Sequence, residues 1–356
     1  MKKINQSFKI NLSKPPNIDF LKSLTNQTGV LQHTKYGVPH RSFGYSLDDN
    51  ARALIVVIRA YRLFGSKEYL DLAKIYLSFI IHAKEAGDFY KNFQTFDHQF
   101  LPRVSQDSFG ETLWALAEVI ESKADRSLTN LAKELFSGSE KNINNVTSPR
   151  AVAYTIIALS QILKTNPKNK AVSTNINKLT SRLLKLYEKY KDQNWIWFEP
   201  VITYANHILP AALFYSYLVE KNKLVLEAAK SALSFIEEQT HTKEGIPSPV
   251  GSYGWFEKGK EKATFDQQPV EASYAVVANL AAYRVTQKEK YKEAAIDWFN
   301  WFHGNNIKKS KIYNQKTGAC FDGLHSRGPN LNQGAESTIC YLLAYLDLAA
   351  SISPKR

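Results

Sequence analysis

The sequence predicts an all-α protein, a six-hairpin (α/α)6 toroid of alternating inner and outer helices, as one domain over residues 1–356 with residues 1–16 as an N-terminal extension. Three observations predict it. Two kinds of helix alternate along the chain, a polar position recurs at the start of each helix of the first kind, and strand patterns are few and short.

The first kind begins as LDDNARALIVVIRAYRLFG from Leu47. It recurs as SFGETLWALAEVI from Ser108, SPRAVAYTIIALSQIL from Ser148, TYANHILPAALFYSYL from Thr203, QPVEASYAVVANLAAY from Gln268 and QGAESTICYLLAYLDLAA from Gln333. Each is apolar nearly all round and rich in small residues, as a helix packed on several sides must be. Between them run KEYLDLAKIYLSFIIHAKEA, SLTNLAKELF, NINKLTSRLLKLYEKY, KLVLEAAKSALSFIEEQ and YKEAAIDWFNWFH, each with one apolar stripe and a Lys/Glu-rich back. These are surface helices, and the short NIDFLKSL helix near the N-terminus makes them six. Asp49, Glu111, Arg150, Asn206, Glu271 and Glu336 mark the six inner starts, at spacings of 62, 39, 56, 65 and 65 residues. That is a loose but recurrent register. The alternation also fits an open helical solenoid, whereas closure into a ring brings all six starts to one rim.

Composition narrows the class. The chain is 44% hydrophobic and 22% charged, an ordinary globular balance. Its two cysteines, Cys320 and Cys340, stand in no metal-binding or redox spacing, which points to reduced thiols and a cytoplasmic setting. The opening MKKINQSFKINLSKPPN lacks an apolar core, so no secretion signal is expected. Apolar runs such as ALIVVI fall short of the ~20 residues of a bilayer span, so a soluble protein with no membrane span is expected. The net charge of +13 is scattered over solvated helix faces rather than gathered in a basic arm interleaved with aromatics, which argues against a nucleic-acid partner. With no HxH or HExxH spacing and no Walker A, Rossmann or GxSxG pattern, neither metal nor cofactor is expected.

The polar residues cluster at the inner-helix starts. Taken singly, each acid is explained as a cap. Ser46 with Asp49 and Ser108 with Glu111 fit a capping box, Ser148-Pro149 an N-cap and first turn, and Gln268-Pro269 places Glu271 at the third helical position. Capping needs one acceptor per helix, and the chain supplies more: Asp48 beside Asp49 with Arg52 following, Asp266 before Gln268, and Asp322 before Gln333 and Glu336. Carboxylates, amides and arginine in surplus suit a polyhydroxylated ligand, because each hydroxyl both donates and accepts. Aromatic residues near these acids offer flat faces for a sugar, or else pack the core: Tyr45, Trp195 and Trp197 before Glu199, and Tyr253 and Trp255.

At these motifs the sequence resembles the six-hairpin glycosidase superfamily. TGVLQHTKYGVPHRSFGYSLDDNARAL, SPRAVAY, WFEPVITYANHILPAAL, FDQQPVEASYAVVA and FDGLHSRGPNLNQGAESTICYLLAY look like a group often encoded beside, or fused to, glycosyltransferases; a basic residue is commoner there at the position of Glu111. The likeness runs from about residue 28 to 348. It implies carbohydrate chemistry, an oligosaccharide or glycan substrate, and a glycosyltransferase as a partner.

Glycoside cleavage needs an acid and a base or nucleophile, roughly 5 Å apart for retention and roughly 6.5–9.5 Å for inversion. If the ring closes in order, Asp49 and Glu199 face each other. The aromatic company of Glu199 should raise its pKa and suit a general acid, while Asp49, near Arg52 and a helix N-terminus, should stay ionised as the base. Asp266 and Glu271 are the alternative catalytic acids. His40, Arg41, Tyr45, Asp48, Arg52, Asp107, Arg150, Trp197, Tyr204, Asn206, Gln268, Asp322, Gln333 and Glu336 are the expected substrate ligands. Two rivals stand beside the hydrolase: a sugar 2-epimerase of the same toroid working through His207 and His325, and a non-catalytic saccharide-binding partner of a glycosyltransferase.

Overall fold

In the computed structural model, residues 11–85 and 89–352 are described. A short helix, α1 (Asp19–Leu24), precedes the first inner helix, α2 (Leu47–Phe64), and its outer partner α3 (Lys67–Glu85). Then follow α4 (Gln106–Ser122) and α5 (Arg126–Ser137), a single turn α6 (Glu140–Ile143), α7 (Pro149–Thr165) and α8 (Lys170–Tyr190), α9 (Ile208–Glu220) and α10 (Lys223–Gln239), α11 (Pro269–Thr286) and α12 (Glu289–Trp301), and finally α13 (Ala335–Ile352).

The apolar helices are the inner wall. α2 packs on α4, α4 on α7, α7 on α9, α9 on α11, α11 on α13, and α13 back on α2, so the ring closes and the open solenoid is excluded. Each of the first five inner helices is backed by the amphipathic helix that follows it. The sixth hairpin is made from the two ends of the chain, because the outer partner of α13 is α1. Tyr345 reinforces this closure by donating to the carbonyls of Asn11 and Lys14 at 3.0 and 2.9 Å. The extension expected over residues 1–16 therefore packs on α13 from Asn11 onward, and residues 1–10 lie outside the described residues.

Inner helices must approach on both flanks, which explains their small residues. Gly110 faces α7 so closely that a Cβ there would lie 2.8 Å from the Ala151 carbonyl oxygen. One turn on, Trp114 is fully buried and stacks on Tyr154 with ring centroids 6.0 Å apart. By length and composition α13 is apolar enough to cross a membrane, contrary to the expectation from short apolar runs; it packs between α2 and α11 in the core.

Three helix starts differ from the sequence expectation. α4 begins at Gln106, capped by Ser105, whose side chain accepts from the Ser108 amide. Glu111 is therefore in the second turn and caps nothing. α9 begins at Ile208 rather than Thr203, since Pro210 has no N–H to give and belongs in a first turn. α13 begins at Ala335, after Gly334. The Ser46 cap is as expected: its hydroxyl accepts from the Asp49 amide and donates to Asp49 Oδ2 at 2.8 Å. Such a cap contributes about 0.5–2 kcal/mol.

The two ends of the ring differ. At the C-terminal ends of the inner helices Arg59 bridges Asp347 of α13 (2.6 Å) and Glu118 of α4 (3.0 Å). Glu118 also takes Arg62 at 3.1 Å and Gln161 of α7 at 2.9 Å. The guanidinium groups hold the Glu118 carboxyl below its usual range despite burial. This network plugs that end. At the other end all six N-termini converge, each with about half a positive charge, which favours carboxylates there. The rim loops are stapled by five two-residue antiparallel pairs: β1 (Thr34–Lys35) with β2 (Val38–Pro39), β3 (Tyr45–Ser46) with β4 (Phe93–Gln94), β5 (Val201–Ile202) with β6 (Phe256–Glu257), β7 (Tyr313–Asn314) with β8 (Ala319–Cys320), and β9 (Leu324–His325) with β10 (Gly328–Pro329).

Candidate active site

Where the six N-termini meet, a cavity of about 380 Å³ opens. Its wall carries Asp48 and Arg52 of α2, Asp107, Ser108 and Glu111 of α4, Tyr154 of α7, Gln268 before α11 and Glu336 of α13, with Tyr204, Ala205 and Trp255 from rim loops. The size falls within the ~300–1,000 Å³ of small-ligand sites. Acids, hydroxyls and the amides of Asn92 and Gln268 alternate with three aromatic rings, the mixture that a sugar ring with polar edges and apolar faces requires.

Arg52 organises the floor. It contacts Asp48 Oδ2 and Asp49 Oδ1 at 3.3 Å each, Glu336 Oε2 at 2.9 Å and Glu111 Oε1 at 3.6 Å. Four carboxylates thus share one guanidinium, and ionising all of them would leave three uncompensated negative charges in a largely buried place. Protons relieve this. Burial pushes Glu111 up to about 8 against the opposing pull of Arg52, with Asp48, Asp107 and Glu336 adding to the rise. Glu111 also accepts a hydrogen bond from the buried Tyr274 hydroxyl at 3.2 Å. Asp49 is raised as well, by burial and by the adjacent Asp48 charge. The expectation that Asp49 stays ionised is corrected by that burial. Asp49 also does not line the cavity: it lies beneath it, held by Ser46 and Arg52.

The other expected acid is elsewhere. Glu199 accepts from Arg150 Nη1 at 2.9 Å and is not part of the cavity wall. Arg150 further donates to Thr203 Oγ1 at 2.8 Å and lies 4.4 Å over the Tyr204 ring. Asn206 donates to the Thr203 carbonyl and to Glu271 Oε2, both at 2.8 Å, and Glu271 also accepts from the Ala205 and Asn206 amides. Burial raises the pKa of Glu271 against those bonds. Glu199, Arg150, Asn206 and Glu271 therefore form the cradle of the Thr203–His207 turn, in which Ala205 has a φ of +48°. The turn presents Tyr204, whose hydroxyl donates to Asp107 Oδ2 at 2.7 Å across the cavity mouth.

Trp197 is fully buried against Phe198 and Phe235, and Trp195 donates to the Glu199 carbonyl from within the core. The aromatic face at the cavity is Trp255 instead. Tyr45 is buried, accepting from Asn26 and stacking on Phe96. His40 and Arg41 are exposed on the rim, His40 bonded to Ser42 and Arg41 over Phe96. Asp266 lies 3.5 Å from His325; Asp322 accepts from Ser337 and the Gly334 amide; Gln333 meets the β1–β2 hairpin through its backbone. Burial raises both Asp266 and Asp322. These three flank the cavity without lining it.

Among the described residues no histidine lines the cavity. His207 is buried against Trp298 and stands 3.6 Å from Glu237. Trp255 is among the aromatic faces expected from the sequence; the lining residues outside the expected catalytic and ligand residues are otherwise Glu111, Tyr154, Asn92, Ser105, Ser108, Ala205, Ser252 and Val270. The signal for Glu111 was present: a carboxylate one turn inside a helix, followed by the apolar run LWALA.

The sequence matches no protein-family model and no curated protein. Solved structures do match. A sugar epimerase from a ruminal bacterium superposes with a TM-score of 0.73 at 16% identity, over 95% of this chain and 96% of that one. Cellobiose 2-epimerase from Bacillus thermoamylovorans B4167 gives 0.73 at 14% identity, over 96% and 98%. An inactive α-1,6-mannanase variant from Salegentibacter sp., with two neighbouring aspartates replaced and α-1,6-mannotetrose bound, gives 0.63 at 12% identity, over 93% and 97%. These likenesses show the fold, the α/α toroid.

Proposed function

We propose that the protein is a glycoside hydrolase acting in the Arg52 cavity, with Glu111 as the general acid and Asp48 as the base or nucleophile. One observation carries the reading: two carboxylates on the same guanidinium and the same cavity, one of them pushed up to about 8 by burial. Carboxyl groups whose environments differ in this way divide naturally into acid and base. Glu336 fixes the Arg52 guanidinium from the far side, and Tyr204, Asp107 and Gln268 serve as hydroxyl ligands with Trp255 as the apolar platform. Asp49 supports Asp48 from below, and Glu199 holds Arg150; this reading moves the acid–base pair away from Asp49 and Glu199 because neither reaches the cavity. The two free, buried thiols support a reducing, cytoplasmic setting, and a glycosyltransferase partner rests on the sequence resemblance alone.

The mannanase neighbour binds a mannose oligosaccharide, so manno-configured oligosaccharides are the first substrates to offer, followed by gluco- and galacto-configured ones. The epimerase neighbours favour a second reading, proton transfer at C2 of a reducing sugar through the same carboxylates. Product analysis in D₂O separates the two. Hydrolysis shortens the oligosaccharide and creates new reducing ends, while epimerisation keeps its length and places deuterium at C2. We expect shortening, and deuterium at C2 of an intact oligosaccharide would overturn the hydrolase in favour of the epimerase.

A further inference from the structure

Most of the exposed large apolar side chains lie, among the described residues, at the end where the cavity opens, while Leu224 and Ile352 lie at the other end. Tyr36 and Val38 are each 68% exposed; Phe43, Phe96 and Leu331 are exposed as well. They sit on the loops that lead into α2, α4 and α13, the helices that carry Asp48, Glu111 and Glu336. Tyr36 is at the tip of the β1–β2 hairpin and Leu331 follows the β9–β10 hairpin. The two hairpins are tied together: the Tyr36 amide donates to Asn332 Oδ1 at 3.2 Å and Thr34 Oγ1 to the Gln333 carbonyl at 2.8 Å. The tips are thus held out by the fold.

Two of these loops are one-sided in charge, while the third carries the exposed Asp97 beside Phe96. Residues 33–43 and 324–331 contain Lys35, Arg41, Arg327 and three histidines, and no Asp or Glu. All three cations are exposed, and none makes an ion pair among the described residues. On and beside the outer helices, by contrast, lysines pair locally with acids, as in Lys74–Asp71, Lys191–Glu188 and Lys230–Glu227.

We propose that this rim docks onto an anionic lipid surface. Apolar side chains spread over separate loop tips, instead of lining a groove, suit a broad and soft partner that receives each tip individually. Cations beside them suit anionic headgroups: each Lys or Arg near such a surface contributes about fivefold in partitioning, and apolar side chains enter the boundary by about 5–10 Å. The docked cavity opens toward the headgroups, which makes a glycan carried on a membrane lipid its substrate class. That last step rests on the saccharide reading above; the docking does not.

The test is co-sedimentation of the full chain with phosphatidylcholine vesicles, with and without phosphatidylglycerol. Binding is expected only to the mixed vesicles. The triple variant Lys35→Glu/Arg41→Glu/Arg327→Glu should weaken it at least tenfold. Lys170→Glu/Lys178→Glu/Lys185→Glu, which changes net charge equally on the exposed face of α8, should leave it within about twofold. Tyr36→Ser/Val38→Ser/Leu331→Ser should remove the binding that survives at high salt. Failure of the unaltered protein to bind the mixed vesicles, or an equal loss in the α8 variant, would overturn the proposal. No saccharide enters the assay, so its failure leaves the hydrolase standing, and an inactive protein that binds vesicles leaves the docking standing.

Discussion

Glu111 shows how one side chain acquires a role from its depth. A carboxyl in the first turn of an inner helix lies next to the partial positive charge of the helix N-terminus. One turn further in, the same group is buried beside Tyr154 and Tyr274 and keeps its proton toward pH 8. Activity that needs protonated Glu111 should therefore hold at neutral pH and fall as pH rises through about 8, seen as a descending limb in kcat/KM. Stability must follow the same proton. The unfolded Glu releases it near 4.5 while the folded one holds it to about 8, so the stabilisation present below 4.5 declines across that interval and is gone above it. The Glu111→Gln variant lacks this loss, and its melting temperature should exceed that of the unaltered protein at pH 9 by an amount reflecting a few kcal/mol. An unaltered difference between pH 5 and pH 9 in the two proteins would contradict the shift. At this scale the sequence was legible where chemistry marks the residue. Asp48, Arg52, Gln268 and Glu336, which line the cavity, belong to the surplus of polar residues beyond capping; Asp107 and Tyr204 line it without that signal. Glu111 was absorbed into a capping box that Ser105, not Ser108, provides.

Helix starts and close approaches are decided by single residues. Pro210 delays α9, and that delay leaves Thr203–His207 as a turn that needs Arg150, Asn206 and Glu271 to hold it. Those residues were conspicuous in the sequence as polar groups at inner starts, but a polar side chain that braces a backbone and one that meets a ligand look alike until the turn is seen. Trp197 was similarly ambiguous, since a tryptophan beside an acid suits a sugar platform and a core equally. Two substitutions test the element packing. Gly110→Ala, which on an open helix would gain about 1 kcal/mol, should instead cost about 1–3 kcal/mol by driving its Cβ against the Ala151 carbonyl, read by chemical denaturation. Arg59→Ala at the plugged end should cost about 3–5 kcal/mol, because Asp347 loses its ion-pair partner and Glu118 keeps only Arg62 and Gln161, while ligand binding at the far end is retained.

For the whole molecule the alternation of two helix types gives the inner and outer layers, and the packing of α13 on α2 decides for the ring over the open solenoid that the alternation also fits. What the alternation did not reveal is that α13 finds its outer partner at the opposite end of the chain. Deleting residues 1–24 should therefore expose α13 and lower the melting temperature by several degrees, with an unchanged melting curve contradicting the closure. The ring in turn gives the site its character: one rim collects six helix N-termini, the acids they favour, and an arginine that keeps those acids from repelling one another. The central claim is that Glu111 and Asp48 carry proton transfer to and from a sugar in that cavity. Its most direct test is the turnover of the saccharide found by screening, measured for Glu111→Gln and Asp48→Asn beside the unaltered protein. Both variants should lose about 10²–10⁴-fold in kcat while folding normally and still binding the sugar, and near-full turnover in either would contradict the assignment.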